Sequence, residues 1–278
     1  MGEFESSTRV TFPAGAMVGR SHVLTSVPAD GGRGVIVAES PFYPLDPFWP
    51  DQPGDVGYLQ SDGLEMRVVD CVTGAARKSG GELLLGVDVP VRRGHPDWHW
   101  VVVHVVERSV PPGTEIRMLV ETDRRRAFSA GHTASHLTAL ALNAALAGRW
   151  EAPAGTERDG LGHPDVAASG AVKSRIVLNG SVDTYRFPGL AAETLPDVAK
   201  DMEARLTAWI DSAAPVVVDA AGPDLGDRRV WRCALPDGTA ARPCGGTHVN
   251  HLGELGRVAV TLEPAEAGDE LLVEVRTS

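Results

Sequence analysis

Long apolar runs are missing from this chain. The longest stretches, around Trp100–Val106 and Pro215–Val218, are strand-sized, so no membrane-spanning helix is expected. Cysteine is scarce as well. Cys71, Cys233 and Cys244 are odd in number and far apart, which argues against a disulfide framework and for a reducing compartment, with the cytoplasm expected. The N-terminus, Met1 to Glu5, is acidic and has no apolar core, so a secretory signal is not expected. Myristoylation is not expected either, because Glu3 and Phe4 suit that motif poorly. Positive charge is outnumbered. With 26 Lys and Arg against 37 Asp and Glu, the formal charge of −11 argues against a protein that coats nucleic acid non-specifically. Local basic patches remain possible grips for one RNA, at Arg124-Arg125-Arg126, at Lys173, Arg175 and Arg186, and at Arg228-Arg229 with Arg232.

What is present is ordinary globular composition, 43% hydrophobic and 23% charged, in a length that suits one large domain or two modest ones. As far as about Glu121 the chain reads as strands punctuated by Gly and Pro: Val23–Val27, Gly34–Glu39, Leu64–Val72, Glu82–Val89, Trp100–Val106 and Glu115–Val120. Short strands at regular spacing predict a small β-barrel over residues 1–122. Past Thr122 the period changes. A helix is predicted over Gly131–Ala147, capped by Ser129 and stopped by Gly148. Strands near Val172–Leu178 and Asp183–Phe187 precede a second helix over Leu195–Ser212, capped by Thr194, with Val198, Met202, Leu206, Trp209 and Ile210 as its buried stripe. Strands Val216–Val218 and Val230–Ala234 follow. A hairpin of Val258–Leu262 and Leu271–Val275, turned at Ala267-Gly268-Asp269, ends the reading. The whole predicts an α+β fold, with helices on a mostly antiparallel sheet over residues 123–278.

Two short segments carry the chemistry. On the first helix His132-Thr133-Ala134-Ser135-His136 places two imidazoles four residues apart, hence on one face, as a zinc ion requires of a helical pair. In a loop between strands, Cys244-Gly245-Gly246-Thr247-His248 has two glycines that let a thiolate and an imidazole converge. Three nitrogens and one sulfur make a natural tetrahedral zinc set. Either half alone is a weak signal, since histidine pairs on helices are commonly accidental. Thr133 stands where a metalloprotease helix would carry its glutamate base. His95 and His99 around Trp98 read as a solvated loop, His104 as a satisfied strand residue, and Cys71 and Cys233 as small apolar side chains.

The two halves together resemble the zinc signature of the alanyl-tRNA synthetase editing domain and its free-standing AlaX relatives. The match extends to Glu39-Ser40-Pro41-Phe42-Tyr43-Pro44, to Gln52-Pro53-Gly54-Asp55-Val56-Gly57, to Asp183-Thr184-Tyr185-Arg186-Phe187 and to Leu252-Gly253-Glu254-Leu255-Gly256. One departure stands out. Where the family carries glycines between the Tyr-Pro and the Gln-Pro, this chain has Leu45-Asp46-Pro47-Phe48-Trp49-Pro50-Asp51, which either reshapes the amino-acid pocket or merely anchors a loop.

The resemblance implies a zinc-dependent trans-editing aminoacyl-tRNA deacylase that recognises the acceptor end of tRNA. Its metal would be held by His132, His136, Cys244 and His248, which are also the catalytic candidates. Gln52, Phe48, Trp49, Thr133 and Thr247 are the candidate substrate contacts. The family default is serine or glycine removed from the alanine tRNA. A deacylase specialised for a threonine analogue such as fluorothreonine stays open, as do a non-catalytic zinc-stapled tRNA-binding module and a hydrolase of a non-tRNA ester. Neither DNA nor a membrane is expected as a partner, and the oligomeric state is left open.

Overall fold

The computed structural model describes residues 6–61, 63–265 and 269–278; Met1 to Glu5, and Ala267 and Gly268 of the expected hairpin turn, lie outside the described residues. The chain divides into two compact units. One comprises Met1–Arg125, Ala220–Arg229 and Gly245–Thr247, and the other Arg126–Asp219, Val230–Cys244 and His248–Ser278.

The first unit contains β1 (Arg9–Val10), β2 (Val18–Ala29), β3 (Gly32–Val37), β4 (Glu39–Ser40), β5 (Gly57–Ser61), β6 (Leu64–Val68), β7 (Asp70–Arg77), β8 (Leu84–Leu85), β9 (Trp98–Val106) and β10 (Glu115–Val120). Eight of these form one sheet in the order β6-β5-β10-β2-β3-β9-β7-β8, every neighbouring pair antiparallel. Period-two alternation is clear in β10, where Ile116, Met118 and Val120 are buried while Glu115 and Arg117 are exposed.

The sheet is open in this order, with β6 and β8 at its ends, so the expected barrel is not shown. Leu64–Val72 divides at Val69 into the consecutive strands β6 and β7, which pair with β5 and β9, and the Val69 N–H donates to the Val105 carbonyl at 2.9 Å. Glu82–Val89 contributes only Leu84–Leu85, paired with β7, before a 3-10 turn at Gly86–Asp88. Strand β5 has no counterpart in the sequence reading.

Two buried polar groups organise this unit. The His104 Nδ1 lies 2.9 Å from the Val35 carbonyl and its Nε2 lies 2.8 Å from Ser40 Oγ. A carbonyl only accepts, so Nδ1 carries the proton and Nε2 accepts from the serine hydroxyl. Burial lowers the His104 pKa to about 4, which keeps the ring neutral, a satisfied strand residue as expected. The second group is Arg125, whose guanidinium grips both carboxylate oxygens of Asp55 and donates to the Pro41 carbonyl at 2.8 Å. Asp55 Oδ2 also accepts the Tyr43 N–H at 2.6 Å.

The second unit carries most of α1 (Thr122–Leu146), then α2 (Val166–Gly170), β11 (Ala171–Val177), β12 (Gly180–Arg186), α3 (Leu195–Asp211), β13 (Val216–Ala220), β14 (Arg229–Leu235), β15 (Gly238–Pro243), β16 (Val258–Pro264) and β17 (Glu270–Thr277). Strands β11-β12-β17-β16 form an antiparallel sheet, and β13-β14-β15 form a three-stranded one. The expected helices and antiparallel sheet are thus present. Leu137 and Leu140 of α1, Val198, Met202 and Leu206 of α3, and Val273 and Val275 of β17 share one hydrophobic core.

The whole expected stripe of α3 is buried, but Thr194 makes no side-chain cap. Helix α1 begins earlier than predicted. Ser129 lies buried inside it rather than at its start, because Arg124-Arg125-Arg126-Ala127 are good helix formers and Asp123 suits the first turn. Gly148, with φ of 79°, follows its end.

Gly131 sets how closely α1 lies on the β11–β12 turn. A Cβ there would stand 2.4 Å from the Gly180 carbonyl oxygen and 2.5 Å from that of Val177. Gly131→Ala is therefore expected to lower stability by about 1–3 kcal/mol through overpacking, read as a lower denaturation midpoint. It also displaces the neighbouring His132, so metal affinity should fall with it.

The basic runs largely dissolve in the fold. Arg125 is buried, and Arg124 Nη1 donates to the Gly54 carbonyl at 2.8 Å. Arg229 is buried against the carbonyls of Leu225 and Asp224, while Arg186 and Arg232 pair with Glu270 and Asp219. Lys173, Arg175 and Arg126 stay exposed.

Candidate metal centre

Helix α1 presents His132 and His136 one turn apart, as their spacing requires. The loop after β15 brings Cys244 and His248 to them. Cys244 Sγ lies 3.4 Å from His132 Nε2 and 3.2 Å from His248 Nε2. The three imidazole centroids are 4.6–5.0 Å apart, and the four ligand atoms all fall within 4.8 Å of one another. Zinc–nitrogen and zinc–sulfur bonds of about 2.1 and 2.3 Å put tetrahedral N···S neighbours roughly 3.5 Å apart, close to the distances here. Donor chemistry and spacing both fit a metal ion of the zinc type. Among the described residues this is the one such cluster, and neither His95 nor His99 belongs to it.

The electrostatics suit a cation. Burial alone would raise the Cys244 thiol, yet the neighbouring His132, His248 and His136 draw it well below its ordinary value. Burial lowers the His136 pKa to about 3 and also lowers that of His248, against the pull of the Cys244 thiolate. Thiolate and neutral imidazoles are the protonation states that bind zinc.

Thr133 fixes the orientation of His248. Its hydroxyl donates to the Ser129 carbonyl at 2.9 Å, and it lies 3.1 Å from His248 Nδ1. The one hydroxyl proton is already committed, so Nδ1–H must donate to Oγ1, leaving the Nε2 lone pair for the metal. The Val249 N–H donates to the same oxygen at 3.2 Å. Thr133, foreseen as a substrate contact, is fully buried and occupied in this way. Thr133→Val should preserve the fold and weaken zinc binding about 10- to 100-fold, measured by competition with a chromogenic chelator.

Two neighbours were not among the site candidates read from the sequence. Trp231 on β14 packs its ring 5.0 Å from His136 and 6.1 Å from His248. Its only signal was the inward alternation of Trp231, Cys233 and Leu235. Asp183 on β12 is buried and accepts hydroxyls from Ser174, Ser181 and Ser135 at 2.5, 2.7 and 3.2 Å. Burial raises its pKa against those three hydroxyls and the field of His132. Ser135 sits between the helical ligands, so this network anchors their turn of α1 to β11 and β12.

The remaining foreseen contacts belong to the first unit. Gln52 is buried, donating from Nε2 to Thr247 Oγ1 at 2.9 Å and accepting the Thr247 N–H at 3.3 Å. Thr247 is likewise buried. Phe48 and Trp49, by contrast, are 40% and 53% exposed, so they do not anchor their loop by burial. Asp46 pairs with Arg93 at 3.2 Å, and a Cβ on Gly245 would stand 2.3 Å from Arg93 Nη2. A side chain at Gly245 would therefore require the Arg93 guanidinium to move.

Fold and site define an α+β protein with a cluster of three histidines and one cysteine that could hold a metal ion. Comparison with known proteins then narrows the class. The chain is 26% identical to the alanine–tRNA ligase of Nitrobacter winogradskyi, over 94% of its own length and 27% of that enzyme. It is 25% identical to that of Desulfosudis oleivorans, over 94% and 26%, and 28% identical to that of Frankia casuarinae, over 86% and 24%. The chain thus spans about a quarter of the length of these relatives. No protein-family model matches it. Similarity along nearly the whole chain to one segment of alanine–tRNA ligase is consistent with the AlaX-like resemblance carried by its motifs.

Proposed function

We propose that this chain is a trans-editing aminoacyl-tRNA deacylase, hydrolysing the ester between a wrongly attached amino acid and the terminal ribose of tRNA. One observation carries the reading: the four ligands distributed over two distant segments converge in a chain that alanine–tRNA ligases match over 94% of its length. The cytoplasm, where charged tRNA is used, is its proposed place of action; no helix among the described residues is long and apolar enough to cross a membrane.

A zinc ion held by His132, His136, Cys244 and His248 would supply Lewis-acid polarisation of an ester carbonyl or a more acidic water. The chain's own residues do the rest. Thr133 holds His248 in its ligating tautomer, and Trp231 walls the imidazoles from one side. Within the first unit Gln52 holds Thr247 through two hydrogen bonds. In the overall reaction water adds to the ester carbonyl carbon, the acyl–oxygen bond breaks, and the ribose hydroxyl regains a proton.

Serine or glycine on the alanine tRNA is the proposed substrate, since a small apolar pocket discriminates by only about 1–3 kcal/mol and leaves errors to correct. The segment Leu45–Asp51 favours a second reading, a specialised amino acid such as fluorothreonine. The experiment is deacylation of tRNA charged separately with serine, glycine, threonine and fluorothreonine, before and after chelation and after zinc is restored. Hydrolysis of none of them, or hydrolysis indifferent to chelation, overturns the reading.

A further inference from the structure

The segment that departs from the family pattern is rigidly held and points its two largest side chains outward. At its start Leu45 is bonded to β7: its N–H donates to the Cys71 carbonyl at 2.9 Å and its carbonyl accepts the Thr73 hydroxyl at 2.7 Å. Asp46 then divides its carboxylate, taking the Phe48 N–H at 3.0 Å on Oδ1 and pairing through Oδ2 with Arg93, which lies against Gly245. At its end Gln52 is bonded twice to Thr247. Its end is thus bonded to the short loop Gly245–Thr247, and its start reaches the same loop through Arg93, which packs beside Gly245.

Between these fastenings the Trp49 indole N–H donates to Asp51 Oδ2 at 3.0 Å, which satisfies the ring's polar edge. The faces of Trp49 and Phe48 stay in solvent, 53% and 40% exposed. Aromatic rings carry much apolar area, and two adjacent exposed ones on a pre-fastened turn are costly without a partner. The deacylase reading supplies the partner that suits them, an RNA that ends in unpaired nucleotides. Stacking on bases is a handle that does not depend on positive charge, and every base has a face to stack.

We propose that Phe48 and Trp49 form a stacking platform for the unpaired nucleotides at the 3′ end of an RNA. This deepens the deacylase reading and rests on it for the identity of the RNA. It moves the role of the two aromatics from shaping an amino-acid pocket to gripping bases.

The test is equilibrium binding, by fluorescence anisotropy, of an unacylated RNA hairpin with a short single-stranded 3′ tail and of the same hairpin with a blunt end. The wild-type chain should prefer the tailed hairpin. Trp49→Ala and Phe48→Ala should each weaken that binding about 5- to 100-fold and leave the blunt hairpin unaffected, whereas Trp49→Phe should keep most of the affinity. The loss should be the same at low and high salt, because stacking releases no counterions. Val87→Ala, removing an apolar side chain that is 90% exposed elsewhere in the unit, should bind like wild type.

Equal binding of tailed and blunt RNA, or wild-type affinity in Trp49→Ala, overturns the proposal. So does a change in self-association on sedimentation with RNA binding intact, which would make the platform a contact between copies. Because no ester is cleaved in this assay, a chain that deacylates tRNA while Trp49→Ala binds normally refutes the platform alone.

Discussion

Cys244→Ser should empty the metal centre and reduce aminoacyl-tRNA hydrolysis by on the order of 10³-fold or more, the several kcal/mol that a catalytic metal contributes to the transition state. Serine is nearly isosteric, but its hydroxyl stays protonated where the Cys244 thiol is drawn down by three imidazoles. Metal content by mass spectrometry should fall to background, and chelation should cost the variant no further activity. The far-ultraviolet circular dichroism should be unchanged, because Cys244 packs only against the edge of a core that Leu137, Leu140, Val198, Met202, Leu206, Trp209 and Val273 fill. A second outcome has its own physical basis. Four protein ligands complete a tetrahedral shell, the mark of a structural zinc. If Cys244→Ser unfolds the chain as the metal leaves, the centre is a staple and the protein a tRNA-binding module. His132→Ala, which removes a ligand from the middle of a well-packed helix, gives the same comparison from the other segment.

The second large effect lies in the first unit. Arg125→Met should destabilise the protein by about 3–5 kcal/mol, because it strands the Asp55 carboxylate in a site where neither partner is more than a few per cent exposed. The loss extends beyond the ion pair. Asp55 would keep only the Tyr43 N–H, and the Pro41 carbonyl would lose its donor, so the segment from Ser40 to Tyr43 would come loose. Chemical denaturation at neutral pH should show the lower midpoint. The double variant Asp55→Leu with Arg125→Met should recover part of the loss, since removing both charges removes the unpaired one. A double variant no better than Arg125→Met would show that the pair holds the backbone rather than balancing charge.

Arg125 also shows why some features resist reading from sequence. Within Arg124-Arg125-Arg126 it looks like surface charge for RNA, and nothing nearby marks it as the residue that turns inward to a carboxylate 70 positions away. Closure of the first sheet was illegible for a related reason. Strand propensity in Leu64–Val72 and Glu82–Val89 is real, but which edges meet depends on distant ladder partners, as where the Val69 N–H reaches the Val105 carbonyl. The start of α1 was misjudged because Ser129 has the chemistry of a cap, whereas the arginines before it continue the helix without strain.

The sequence by itself determined the local elements and the candidate ligands: His132 and His136 on one helical face, Cys244 and His248 around two glycines, the buried stripe of α3 and the hairpin of Val258–Leu262 with Leu271–Val275. These rest on spacings of a few residues, which backbone geometry fixes regardless of the rest of the chain. Only the tertiary structure decided that Thr133 sets the tautomer of His248 across 115 positions, that Asp183 gathers three serines, and that Trp231 backs the imidazoles. Such contacts join residues whose own neighbours carry no sign of the partner, so they exist only once packing has brought distant strands and helices together.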